Sequence, residues 1–229
     1  MRMEDYIVYI ARFIVLLFIL PAHEFAHALA AYKNGDYTAK FSGRYTLNPL
    51  KHFDPIGLVC FLIAGFGWAK PVPVNPYNFK DYKKGSFWVS LAGVVANYLL
   101  AFIFYPLFIL CSYFLGRYNN FFSQLIIMIM YCGFVLDLNF CVFNLIPVFP
   151  LDGFRLIDTF VKKRGKVYAF LRQYGYYALL GLVLLSSLSR TNSSLSFLNV
   201  FGYCMKFATD IFGYPITAFW NFIFTLIFG

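Results

Sequence analysis

The chain has 229 residues, of which 61% are hydrophobic, 22% aromatic and only 13% charged. Soluble domains carry roughly a quarter charged residues, so this composition excludes an ordinary soluble domain and indicates an integral membrane protein. The formal charge of +9 does not call for nucleic acid as a partner, because Lys and Arg of a membrane protein gather in its cytoplasmic loops.

Apolar windows of the length that crosses hydrocarbon, about 20 residues, run near 6–32, 86–114, 122–149, 173–189 and 207–228, the fourth being short. The first window, "YIVYIARFIVLLFIL", continues into "PAHEFAHALAAY". It passes into polar residues rather than a small-residue cleavage site, so it reads as a span and not a cleavable leader. HExxH on a helix sets residues i and i+4 on one face. His23 and His27 can then bind a single Zn²⁺ through imidazole nitrogens, while Glu24 beside them takes a proton from metal-bound water. The competing role for these histidines is hydrogen bonding between packed spans. Glu24 makes that role costly, at on the order of 2.5–3.5 kcal/mol for each ionisable group near mid-membrane.

Residues 33–85 hold eight lysines and arginines, and six more fall between Arg155 and Arg172. The turn "GRYNN" at 116–120 and the turn at 190–196 carry one arginine each. This asymmetry assigns 33–85 and 155–172 to the cytoplasm, with the first and third spans both entering it at their carboxyl ends. Within 33–85, "IGLVCFLIAGFGW" (56–68) is too short to span and is expected to be re-entrant or buried in protein. The stretch "YTAKFSGRYTL" (37–47) is expected either as an edge strand that could pair with an unwound substrate or as a simple surface hairpin.

The third window carries Asp137 in "VLDLN", a buried acid that requires a polar partner and is assigned no catalytic role. It ends in "NLIPVFPLDGFRL", where Pro147 and Pro150 break the helix and Gly153 permits an unusual backbone angle. A catalytic zinc normally takes three protein ligands and keeps an open position. Asp152 is the leading candidate for the third, against the alternative that it caps the next helix. His52, in the basic loop, is the rival ligand. The cysteines Cys60, Cys111, Cys132, Cys141 and Cys204 show no paired spacing and read as packing residues.

Taken together, HEFAH, then "LAGVVANYLLA" (91–101), then "NLIPVFPLDG" (144–153), on three successive long spans, resemble the site-2 protease family of intramembrane zinc metalloproteases. "GRYTLNPLKHFDPIG" and "FGWAKPVPVNPYNF" are similar to segments of its small bacterial and archaeal members without PDZ or CBS domains. The resemblance covers roughly residues 15–160. It implies zinc held by His23, His27 and Asp152, with Glu24 as catalytic acid and base. It also implies that Asn144 and Asn97 line the site as substrate or oxyanion partners. Val94 stands where the family usually has proline, which should straighten the second span locally and bears on the aim of Asn97.

The expected fold is an all-α polytopic membrane protein of five to six hydrophobic segments, with a three-span catalytic core and a short re-entrant or β-hairpin region. It is expected as a single metalloprotease domain, with the core at about 6–160 and carboxyl-terminal spans at about 173–229. The expected setting is a prokaryotic cytoplasmic (inner) membrane, with the active site towards the cytoplasm. The expected substrate is the transmembrane segment of a single-span protein. A membrane metal transporter and an inactive membrane-protein scaffold are the alternatives. The former would favour repeated halves, and none is visible. The latter would typically lose Glu24 or a ligand.

The basic-residue asymmetry makes the orientation testable. Single cysteines introduced at Lys83 and Lys163 should react with an impermeant thiol reagent only from the cytoplasmic side, and one at Asn119 only from outside. External labelling at Lys83 would reverse the assigned topology.

Overall fold

The structure is a computed structural model that describes residues 3–57, 69–161, 164–191, 197 and 199–228. Contacts divide the chain into two units, Met1–Asp137 and Leu138–Gly229.

The first unit begins with helix α1, Met3–Lys33, whose Glu4 and Asp5 in the first turn and Lys33 in the last complement the helix dipole. At 1.5 Å per residue it reaches about 46 Å, enough to cross a hydrocarbon core of about 30 Å and project beyond it. Ile7, Ala11, Val15, Ile19, His23, His27 and Ala31 are all buried, and they recur every four residues as one continuous ridge. Helix α2 is the single turn Thr38–Phe41, and helix α3 spans Tyr82–Leu115. The α3 amino terminus is capped by Asp81, whose side chain accepts from the Lys84 amide. On α3 the buried residues Gly85, Val89, Gly93, Asn97, Ala101 and Tyr105 form a second ridge of the same period. Ridges of this kind are what allow two helices to interlock. Here the pairing is antiparallel, with Ala31 packed against Val89 and His23 bonded to Asn97. The helix runs unbroken through Val94. Helix α4, Phe121–Leu145, follows the turn. Within this unit Phe134 packs on Tyr105, and the α4 backbone at Gly133 approaches the Phe104 ring so closely that a Cβ would overlap it.

The 37–47 stretch is not a strand, which corrects the edge-strand expectation: it forms α2 and a turn with Gly43 at φ 68°. The cause is Asp36, fully buried, whose Oδ1 accepts from the Thr38 amide and hydroxyl and so starts a helical turn where β pairing would need an extended chain. Asp36 also accepts from the Asn75 amide at 2.8 Å and from the Asn78 side chain at 2.8 Å. It thereby ties the incoming chain of α3 to the end of α1. Most of the 56–68 segment lies outside the described residues. An isolated antiparallel bridge joins Phe53 to Ala69.

The second unit holds the end of α4, then helix α5 (Asp152–Phe160), α6 (Lys166–Thr191) and α7 (Val200–Phe228). The break expected around Pro147 and Pro150 is present: α4 stops at Leu145, turns carry the chain through 146–151, and the Phe149–Pro150 peptide is cis. Gly153 does not take the unusual backbone angle expected of it, since it lies within regular α5 helix without a positive φ; glycine is required here for space, because a Cβ would come within 2.3 Å of the Leu145 carbonyl oxygen. Among the described residues, α1, α3, α4 and α7 are long and apolar enough to cross a membrane. The fourth expected span falls within α6, which does not meet that standard by composition. The chain is an all-α integral membrane protein.

Burial pushes the Asp36 carboxyl up, but hydrogen bonds from the Thr38 hydroxyl, the Asn78 side chain and the Asn75 and Thr38 amides outweigh it and hold the group below the usual aspartate value. Its contribution to stability is therefore fully present above the unfolded-state pKa of about 3.9 and is lost as pH falls through the lower folded-state value. Asp36→Ala should cost on the order of 2–4 kcal/mol at neutral pH by leaving several buried donors unpaired. Melting of wild type and variant in detergent should converge only in acid, below pH about 4; a gap that stays constant throughout the acid range would exclude this role.

Candidate metal centre

His23 and His27 sit on consecutive turns of the buried α1 ridge, 7% and 4% exposed. Their Nε2 atoms are 3.0 Å apart. Each ring is fixed from the opposite helix. His27 Nδ1 lies 2.7 Å from the backbone carbonyl of Val89, and His23 Nδ1 is bonded to the side-chain carbonyl of Asn97. A carbonyl oxygen only accepts, so in both rings Nδ1 carries the proton and donates it. A neutral ring so bonded carries its lone pair at Nε2. Two lone pairs at this separation repel unless a cation lies with them. The donor set therefore fits a metal ion, and imidazole nitrogens whose other N–H is engaged are the kind zinc takes.

The sequence motif did not reveal Gly93, yet the pair depends on it. A Cβ there would lie 2.4 Å from His27 Nε2 and 2.4 Å from His23 Cε1, so only glycine lets the α3 backbone approach both rings. Its position four residues from Val89 and from Asn97 on the buried α3 ridge was the available signal.

Glu24 projects beside the ridge and is half-buried. Its Oε2 accepts from the Val72 amide at 2.7 Å. Val72 lies in an irregular stretch that is held in several ways: Arg44 Nη2 donates to the Lys70 carbonyl, the Lys70 amide donates to the His52 carbonyl, and Val72 packs with Ala28 and Ala39. The carboxylate is thus oriented by backbone of the 33–85 segment.

Asn97 is fully buried, and both ends of its amide are engaged: Oδ1 with His23, and Nδ2 as donor to Asp137 Oδ1 at 2.6 Å. The partner that Asp137 required is therefore Asn97. His52 is buried as well, with Nε2 bonded to the Thr46 carbonyl at 2.7 Å. Among the described residues it belongs to no group of three metal-ligating side chains.

In the second unit, Asp152 is the first residue of α5 and is buried. Leu151 occupies the cap position, so Asp152 does not serve as the cap. Arg155, one turn on, places Nη1 3.9 Å from Asp152 Oδ1. Asn144 turns its Nδ2 back to the Phe140 carbonyl of its own helix at 3.0 Å. Around the break, Phe154 stacks on Tyr168, and Gly175 of α6 lies close under Val148 and Phe149.

Comparison with known proteins bears directly on these residues. The sequence model for peptidase family M50 matches residues 11–188. The chain is 45% identical over 148 residues to the Bacillus subtilis protein named "Putative zinc metalloprotease YwhC", covering 65% of this chain and 68% of that one. It is 30% identical over 180 residues to the Mycolicibacterium smegmatis protein named "Putative zinc metalloprotease Rip2", covering 76% of this chain and 66% of that one. No solved structure matches. The matched region takes in the histidine pair, the α3 ridge and the helix break together, and on that basis the chain belongs to peptidase family M50, the site-2 protease family, whose metal is zinc.

Proposed function

We propose that the protein is an intramembrane zinc endopeptidase that hydrolyses peptide bonds within the transmembrane segments of single-span membrane proteins, as in regulated intramembrane proteolysis. The observation that carries this reading is the pair of Nε2 atoms 3.0 Å apart, each ring held by a carbonyl oxygen from α3, with Glu24 next in sequence. Asp152 is proposed as the third ligand. It is buried, it offers a carboxylate oxygen, and it stands at a helix break of the kind tolerated at membrane depth only where it is enclosed by protein or lines a wet cavity. The whole chain is read as one membrane-embedded protease domain in a prokaryotic cytoplasmic membrane, with the site towards the cytoplasm.

When bound, zinc lowers the pKa of its water to about 7 and polarises the scissile carbonyl. The protein's own residues do the rest. The Val72 amide holds Glu24 Oε2, leaving Oε1 to take a proton from the attacking water and deliver it to the departing amine nitrogen. The Val89 carbonyl and the Asn97 Oδ1 keep both imidazoles in the tautomer that directs Nε2 at the metal. Asn144 is proposed as an oxyanion donor once substrate draws its amide away from Phe140, a contribution of up to about 3–4 kcal/mol for a well-aimed group.

Detergent-purified protein should hold about one zinc per chain. Either His23→Ala or Asp152→Ala should lower the occupancy strongly, as measured by elemental analysis. If His52→Ala empties the site while Asp152→Ala leaves it full, the third ligand is misassigned. Glu24→Gln should retain zinc and abolish cleavage of a reconstituted single-span substrate. Zinc-loaded wild type that cleaves no such substrate would favour the scaffold reading.

Gly93→Ala should also lose zinc, because its methyl group would stand between the two rings. Gly133→Ala, whose neighbour is the Phe104 ring instead, serves as the packing control and should keep the metal. Equal zinc content in the two variants would show that the close approach of α3 is not required.

A further inference from the structure

We propose that Asp137 is a positioning residue for the metal centre. Its carboxylate sets the orientation of the Asn97 amide, and through it the tautomer of His23. This inference rests on the zinc reading above. Asp137 and Asn97 are both fully buried, and the bond between them, Nδ2 to Oδ1, is 2.6 Å. Among the described residues Asp137 Oδ2 has no hydrogen-bond partner, and Asn97 is what its Oδ1 holds. An acid within a span, on a helix as apolar as α4, is expensive and marks function by default.

The chemistry makes the link directional. An Asn side chain alone can present either its oxygen or its NH₂ to an imidazole, since both arrangements fill the same space. Asp137 removes the ambiguity, because its Oδ1 accepts from the Asn97 side chain and so draws the NH₂ to its own side. With Nδ2 committed to Asp137, Oδ1 faces His23, and His23 Nδ1 must carry the proton that this oxygen accepts. The consequence is a lone pair at His23 Nε2, on the side where Nε2 of His27 also points. His27 needs no such device. Its Nδ1 faces the backbone carbonyl of Val89, which cannot turn into a donor. The two histidines thus reach the same protonation state by different routes. One is fixed by the fold of α3, the other by a chain of three side chains ending in Asp137.

The test is the rate at which zinc leaves the full-length, detergent-solubilised protein for an excess of chelator. It is measured for wild type, Asp137→Asn, Asn97→Ala and the double variant, alongside melting of each metal-free protein. Asp137→Asn keeps the volume but lets the facing amides take either direction. It should speed zinc release about 10- to 100-fold, the usual loss when the partner of a metal-bound imidazole is removed. The metal-free protein should melt as wild type does. In the Asn97→Ala background the same change should have no further effect, because the relay is already cut. Unchanged release in Asp137→Asn, with or without a lowered melting temperature, would overturn the inference, as would an equal acceleration with Asn97 absent. Wild-type protein that takes up no zinc would overturn the metal reading itself, and is thereby distinguished from failure of this inference alone.

Discussion

Polar groups placed inside an apolar bilayer must find their partners within the protein, and the structure of the first unit is organised around that requirement. Two imidazoles on α1 bring four ring nitrogens into the buried interface with α3. The α1 and α3 ridges share a four-residue period, so Val89, Gly93 and Asn97 fall in step with His27 and His23. Two of the four nitrogens are bonded to α3 oxygens, and the other two face each other. The same packing that buries Ile7, Ala11, Val15 and Ile19 therefore also satisfies and aligns the polar pair. The site continues the helix interface.

Close approach of backbones is what makes this geometry available, and glycine controls it in both units. At Gly93 the α3 main chain comes so near the rings that a methyl group would overlap them. At Gly153 the first turn of α5 lies against the Leu145 carbonyl, so the chain can reverse immediately after the helix break. In each case a single added carbon would have to displace a histidine ring or a backbone carbonyl, neither of which yields easily in a packed interior.

Carboxylates organise the segment between the first two long helices. Asp36 gathers donors from the Thr38 side chain and amide, the Asn75 amide and the Asn78 side chain. Glu24 accepts from the Val72 amide of the same irregular stretch. The stretch is thus fastened at both ends by acids, one at the end of α1 and one within the HExxH motif. Fixing the backbone near Glu24 also fixes the carboxylate.

Much of this could be read from the sequence, because the signals involved are local. Hydropathy over about 20 residues located α1, α3, α4 and α7. The i, i+4 spacing of His23 and His27 placed both rings on one face, and Pro147, Pro150 and Gly153 marked the break before Asp152. The window expected to run to residue 149 stops at Leu145, since a proline two positions on ends a helix early. The 37–47 stretch reads as an edge strand or a surface hairpin but forms a helical turn, because the turn is decided by Asp36, whose influence comes from hydrogen bonds rather than from the propensity of the stretch itself. What only the tertiary structure decided is which atom faces which nitrogen. Val89 meets His27 across 62 residues, Asn97 meets His23 across 74, and Asp137 meets Asn97 across 40. Such pairings depend on the register of one helix against another, and no pattern within a single span specifies it. The sequence by itself determined which residues lie in the membrane and which of them are polar. Only the packed helices decided how those polar groups are satisfied, because that choice is made by side chains that share no local segment.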